Sequence, residues 1–149
     1  MHILRSACVA LLVCAVTSAL AGGGFKPYPG AVKYTPPDTQ ETRDVMKSLP
    51  PGTTSTTFLT KDPFEKVVAF YKDSGKEYKM PHMRTGGRLP TGEELKQTFL
   101  IFDNAADIGT SKNWANVQYP FVGSVGMKGG VPEYHDVRDV TTITLIEKK

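Results

Sequence analysis

From residue 22 onward, apolar positions fall into short patterned runs separated by prolines and glycines. Pro27, Pro29-Gly30, Pro36-Pro37 and Pro50-Pro51-Gly52 punctuate the stretch 22–52. Each favours a turn or an extended dipeptide over continuous structure. Between them, Ala31-Val32-Lys33-Tyr34 has room for a short strand, and Thr39 to Leu49 carries Val45, Met46 and Leu49 on one side of a short helix. Thr53 to Thr60, TTSTTFLT, is β-branched and aromatic and predicts a strand. The next stretch, KDPFEKVVAFYKDSG, is the most sharply patterned. Phe64, Val67, Val68 and Tyr71 recur at i, i+3, i+4 and i+7, and Phe70 widens the stripe. Asp62 as cap, Pro63 at the first helical position and Glu65 at capping-box spacing predict the start of a helix. Gly75 as a left-handed cap predicts its stop, after about three turns.

Further on, Lys76 to Met80 predicts a returning strand with Met80 in the core, and Pro81 to Gly92 a polar loop. Thr91 and Glu94 have capping-box spacing, which predicts one helical turn from Thr91 to Lys96. Gln97 to Asp103, QTFLIFD, is apolar on both faces and predicts a central strand. Asn113 to Phe121 alternates, with Ala115, Val117, Tyr119 and Phe121 on one side, Tyr119 and Phe121 being expected beneath the helix. Pro120 predicts an edge or a strand end. Gly123 to Gly130 reads as a loop, and Glu133 to Asp136 as a polar loop leading into a last Thr/Ile/Val strand, Val137 to Glu147. No helix between these strands is long enough for a parallel crossover. The expected class is therefore α+β: a single antiparallel sheet of about five strands with one main amphipathic helix packed on one face. It would occupy 53–149, behind a Pro/Gly-rich lead with short elements over 22–52.

The first 21 residues have a different character. Arg5 precedes an apolar run from Ala7 to Leu20, which ends in the small-x-small site Ala19-Leu20-Ala21 and three glycines. The run is shorter than the roughly 18–20 residues that span a bilayer. The pattern predicts a Sec-type signal cleaved after Ala21 and a soluble periplasmic or secreted product with no stable membrane anchor. Cys8 and Cys14 both lie in that segment, so the expected mature chain has no disulfide, thiolate metal site or cysteine nucleophile. Removing 21 of 149 residues leaves 128, enough for one core. Without Arg5 there are 17 basic residues against 15 acidic ones, mixed in sign along the chain. Nucleic-acid binding needs clustered Lys and Arg, so it is not expected.

YPGA at Tyr28 to Ala31, FLTKDPFEKVVAFYK at Phe58 to Lys72 and DVTTITL at Asp139 to Leu145 resemble a loose group of small exported bacterial domains of uncharacterised function. The resemblance implies an α+β domain of about this size. Its motifs are structural and bring no catalytic residue with them.

Several clusters bear on chemistry. Met80-Pro81-His82-Met83 pairs thioethers with imidazole, ligands that suit a soft ion such as Cu(I). On an extended chain Met83 faces away from Met80 and His82. With Met80 in the core, a soft-metal site would need His82, Met83 and a third ligand such as Met127. Glu133, His135 and Asp136 suggest a hydrolase or a metal-dependent enzyme, although neighbours alternate sides on a strand. Phe102 to Thr110 fails as a calcium loop, because Ala105 and Ile108 stand where an oxygen ligand and a glycine are needed. Gly123 to Gly130 lacks the Gly-Lys-Ser/Thr ending of a phosphate loop, and there is no Gly-x-Ser-x-Gly. Trp114, Tyr134 and His135 are the candidate contacts for a ligand. The expectation is an exported, non-catalytic binding or interaction domain without a cofactor, whose partner is an unidentified protein or small molecule. A periplasmic Met/His copper carrier is the alternative, and an enzyme the lower one.

Overall fold

A computed structural model describes residues 24–81 and 86–149 of the chain. The predicted signal segment, and His82 and Met83 of the soft-metal reading, lie outside the described residues. In chain order the elements are β1 (Val32–Tyr34), α1 (Gln40–Ser48), β2 (Thr53–Thr60), α2 (Phe64–Tyr71), β3 (Lys76–Tyr78) and β4 (Gly86–Arg88). They continue with β5 (Glu94–Ile101), β6 (Asn113–Tyr119), β7 (Phe121–Lys128), β8 (Val131–Arg138) and β9 (Thr141–Lys148). The fold is α+β and the pairing is antiparallel throughout. The main sheet has seven strands in the order β1-β2-β9-β6-β5-β3, with β4 also pairing with β5. β7 and β8 form a separate two-stranded hairpin. The described residues thus hold nine strands in two sheets, where the sequence pattern predicts about five in one.

The Thr-rich strands are the spine. β2 and β9 pair along their full length, from Thr53 opposite Lys148 to Thr60 opposite Thr141. β-Branched residues suit this position because they pack well on a pleated surface. One face of the sheet is apolar: Phe58, Ile143, Val117, Ala115 and Leu100 fall in register across it. α2 lays Val67, Val68 and Tyr71 onto that face, and all three are buried. The Tyr71 hydroxyl donates to the Lys26 carbonyl at 3.0 Å, which ties the lead segment over the core. Burial of Tyr71 raises its pKa well above the usual tyrosine value. Tyr28 closes the same cluster, and its hydroxyl donates to Asp62 at 2.6 Å.

The helix ends differ from their predicted forms. Pro63 is the N-cap of α2 and no side chain caps it. Asp62 instead receives Tyr28 and pairs with Lys66 at 2.9 Å, and Glu65 reaches Lys96. α2 has eight residues, about two turns rather than three. Gly75 is not left-handed. Its N–H donates to the Tyr71 carbonyl at 2.8 Å, and a Cβ there would stand 2.7 Å from the Phe102 ring. The glycine is needed for close packing, not for its dihedral freedom.

Other differences follow from local chemistry. The stretch Thr91–Lys96 makes no helical turn. Gly92, at φ 90°, donates to Leu89 in a tight turn and β5 starts at Glu94. Met80 is half-buried, not core. β6 stops at Tyr119, because Pro120 has no N–H to give the ladder, and Phe121 opens a new strand. Phe121 is buried on the opposite side from α2, against Tyr34 at 5.0 Å. Tyr119 is half-buried and donates to Asp139. Gly123–Gly130 is largely strand, and its real turn is Gly129-Gly130, both at positive φ (58° and 81°). That pair is the two-residue hairpin signal. The run Val137–Glu147 breaks at Asp139-Val140, between β8 and β9.

A candidate ligand cleft

Because side chains alternate across a strand, the residues between the core positions form a second face of the sheet. Its middle, on β2, β9 and β6, carries hydroxyls and carboxamides: Ser55 and Thr57, Thr142 and Thr144, Asn116 and Gln118; the same face also bears Leu59, Ile146 and Trp114, with Phe99 and Ile101 on β5. Thr57 lies opposite Thr144, and Thr144 opposite Asn116; Thr142 lies opposite Gln118. The Thr57 and Thr144 hydroxyls meet at 3.3 Å, and the Gln118 amide donates to the Pro120 carbonyl at 3.2 Å. Three oxygens on this face, Thr53 Oγ1, Asn116 Oδ1 and Thr142 Oγ1, are closed off from water and have no hydrogen-bond partner, and the last two belong to residues that line the cleft beneath α1. A buried polar group left unpaired costs free energy, so such atoms mark a place where a partner is wanted.

α1 and the base of the hairpin are the walls over this floor, enclosing a cleft of about 530 Å³. α1 is capped by Thr39, whose hydroxyl accepts from the Thr42 N–H at 3.1 Å, so its position in the chain is well defined. None of its residues is buried. Val45 and Met46 line the cleft yet remain 60% and 48% exposed. The opposite wall is built on Asp136, a non-glycine residue at φ 52°. The close approach of Gly123 accommodates it: a Cβ at 123 would lie 2.8 Å from the Asp136 Cβ. Arg138 holds Asp136 with two hydrogen bonds, at 2.8 and 2.6 Å, which pulls the carboxyl below its usual pKa. The same guanidinium lies 5.6 Å from the Tyr34 ring centroid and 5.2 Å from that of Phe121.

The candidate residues read from sequence are dispersed. Trp114 is half-buried on β6, 6.1 Å from Phe99, with its Nε1 closed off and unpartnered. It does not line the cleft. Tyr134 is half-buried on β8, opposite Val125. His135 is exposed on the same strand, 3.6 Å from Glu133, while the Asp136 carboxyl is occupied by Arg138. Glu133, His135 and Asp136 therefore do not converge on one point. Met127 stands near the hairpin tip, 69% exposed. The alternation of β6 sets Asn116 and Gln118 on the side away from Ala115 and Val117, and Ser55, Thr57, Thr142 and Thr144 repeat the same uncharged polar chemistry on β2 and β9.

The described residues thus define an antiparallel α+β domain with one face covered by α2 and a cleft on part of the other. Among them, no helix is long and apolar enough to cross a membrane. The chain has no significant match to a protein-family model, to a curated protein or to a solved structure.

Proposed function

We infer that the protein is an exported, non-catalytic binding domain and that the cleft between α1, the hairpin base and the polar sheet face holds its ligand. One observation carries this reading. Val45 and Met46 point into the cleft from an amphipathic helix, yet they stay largely exposed above a floor to which they are not packed. A helix on a sheet normally buries its apolar side. A helix that stands off from a concave, uncharged polar surface is arranged to cover something else. The cleft volume is in the range of small-molecule sites, roughly 300–1,000 Å³.

The test is a small-molecule screen read by amide chemical shifts of the full chain. A ligand of this site shifts α1, Thr57, Asn116, Thr144 and the hairpin base together. Hits that cluster elsewhere on the surface and spare these residues would refute the reading. Export is checked separately, by N-terminal sequencing of the protein recovered outside the cytoplasm, where the new terminus is expected at Gly22.

A further inference from the structure

Taking the cleft as the binding site, we propose that its ligand is a neutral, hydroxyl-rich molecule, a sugar or another polyol. Asn116 and Thr142 bind its hydroxyls, and Val45, Met46 and Val125 lie against its C–H face. The ligand class follows from the chemistry of the lining. The polar groups of the sheet floor are hydroxyls and carboxamides, beside the Tyr34 and Phe121 rings. Among the described residues no Lys or Arg side chain lines the cleft; its ionic groups are Glu41 and Asp136. Asp136 is neutralised by Arg138, whose guanidinium is spent on that carboxylate and on the Tyr34 and Phe121 rings. A phosphate or carboxylate would find no cation here and would sit near Glu41, so anionic ligands are disfavoured.

The two unpartnered atoms narrow the choice further. Thr142 is only 7% exposed and its hydroxyl has no partner; Asn116 is half-buried, with its Oδ1 closed off and unpartnered. A hydroxyl both donates and accepts, so a ligand O–H satisfies Thr142 and also satisfies the Asn116 carboxamide whichever way it is turned. An ester or ketone satisfies only a donor, and a hydrocarbon satisfies neither. The rim is aliphatic: Val45, Met46 and Val125 are 60%, 48% and 52% exposed. A pyranose ring has the matching pair of surfaces, a hydroxyl edge for the floor and a C–H face for the rim. Thr142 and Asn116 both line the cleft, with their oxygens just beneath its surface, and the helix above them buries none of its own residues.

The experiment titrates the full chain, followed by amide chemical shifts, with glucose, maltose, octyl glucoside, glucuronate and the apolar neutral probe N-phenyl-1-naphthylamine. Binding of a neutral sugar at Asn116, Thr142 and Val45 is expected, with glucuronate at least about tenfold weaker. Maltose stronger than octyl glucoside assigns a free saccharide; the reverse assigns a sugar headgroup on an apolar tail. Asn116→Ala and the near-isosteric Thr142→Val each weaken sugar binding about tenfold while the melting temperature shows both variants folded. Unchanged sugar affinity in both variants overturns the assignment, since water alone then serves these atoms. Glucuronate binding as well as glucose overturns the neutrality. If the naphthylamine occupies the cleft and no sugar does, the ligand class fails while the cleft remains a binding site. A cleft silent to every probe and to the wider screen removes the binding reading itself.

Discussion

Gly75→Ala tests the packing at the end of α2, because two effects of opposite sign meet there. Gly75 is not in the left-handed region, so alanine fits its backbone. On that ground alone the substitution stabilises by about 0.4–1 kcal/mol, through the lower entropy of the unfolded chain. The side-chain environment reverses the sign. An added Cβ would lie 2.7 Å from Phe102 Cε1, 3.1 Å from its Cδ1 and 3.4 Å from Leu100 Cβ. Phe102 has little freedom to retreat: it is 6% exposed and packs edge-on against Phe25 at 5.6 Å and Tyr71 at 5.8 Å. Overpacking of this kind costs about 1–3 kcal/mol, so the net expectation is a loss of about 1–2 kcal/mol. Urea unfolding measures it as a lower midpoint at unchanged slope. A Phe102→Leu background gives the alanine room. The two substitutions together should therefore cost less than the sum of their separate costs, by about 1 kcal/mol. A neutral or stabilising Gly75→Ala, or strict additivity with Phe102→Leu, would refute the packing argument.

Val45→Ser and Met46→Ser are each expected to change urea stability by less than about 0.5 kcal/mol, because neither side chain is buried; a loss of 2 kcal/mol or more, as from a packed core, would mean that α1 is seated on the sheet. Thr57→Val together with Thr144→Val removes the 3.3 Å hydroxyl contact and makes the floor apolar. Equilibrium unfolding should show unchanged or higher stability, and the screen should show weaker ligand binding, the usual opposition between stability and a functional surface. Gly123→Ala forces a Cβ to within 2.8 Å of the Asp136 Cβ; faster amide exchange at the hairpin base with little change in β2 and β9 is the expected result. The pH dependence rests on Asp103. Burial raises its pKa, but the Lys112 N–H, the Ser111 hydroxyl and the N–H groups of Ala105 and Asn113 outweigh that and lower it. A carboxyl lower in the folded state stabilises fully above its unfolded pKa of about 3.9, and the contribution is lost as pH falls through the folded value. Denaturant midpoints should therefore drop below about pH 4, and less steeply in Asp103→Asn.

How much of this was legible in the sequence depended on whether one pattern dominated a stretch. β2 falls on Thr53–Thr60 as predicted, because its five threonines and Phe58 favour the same state. α1 and α2 are where the periodicity of Val45-Met46 and of Phe64-Val67-Val68-Tyr71 places them. The failures came where two signals competed. Gly123 and Gly126 suggested a loop, yet in β7 they make room for Asp136 and His135 on the partner strand. Glu133 to Asp136 looked like loop because β8 lies mostly exposed in a hairpin outside the main sheet. Asp62 has the right spacing for a cap, but Tyr28, more than thirty residues away, and Lys66 claim its carboxylate. That preference is tertiary and leaves no local trace. The cleft was half visible. Each strand showed a polar face, but only the strand order β2-β9-β6 puts three such faces side by side.

That strand order also accounts for the stance of α1. A helix packs on a sheet when apolar surface meets apolar surface, and α2 has already taken the apolar face. The part of the other face beneath α1 presents Thr57, Thr144 and Asn116 in one cross-strand row and Thr142 and Gln118 in the next, while apolar residues of that face such as Phe99, Ile101 and Ile146 lie outside the cleft. Val45 and Met46 gain little by settling on a surface of hydroxyls and carboxamides. The lead segment nonetheless holds the helix over that face. β1 pairs Val32, Lys33 and Tyr34 with Leu59, Phe58 and Thr57, and Pro50 to Gly52 return the chain to β2. The helix is thus tethered at both ends above a surface it has no reason to bury. The cleft follows from the division of labour between the sheet's two faces, and its polar floor makes it a better place for a ligand than for α1 itself.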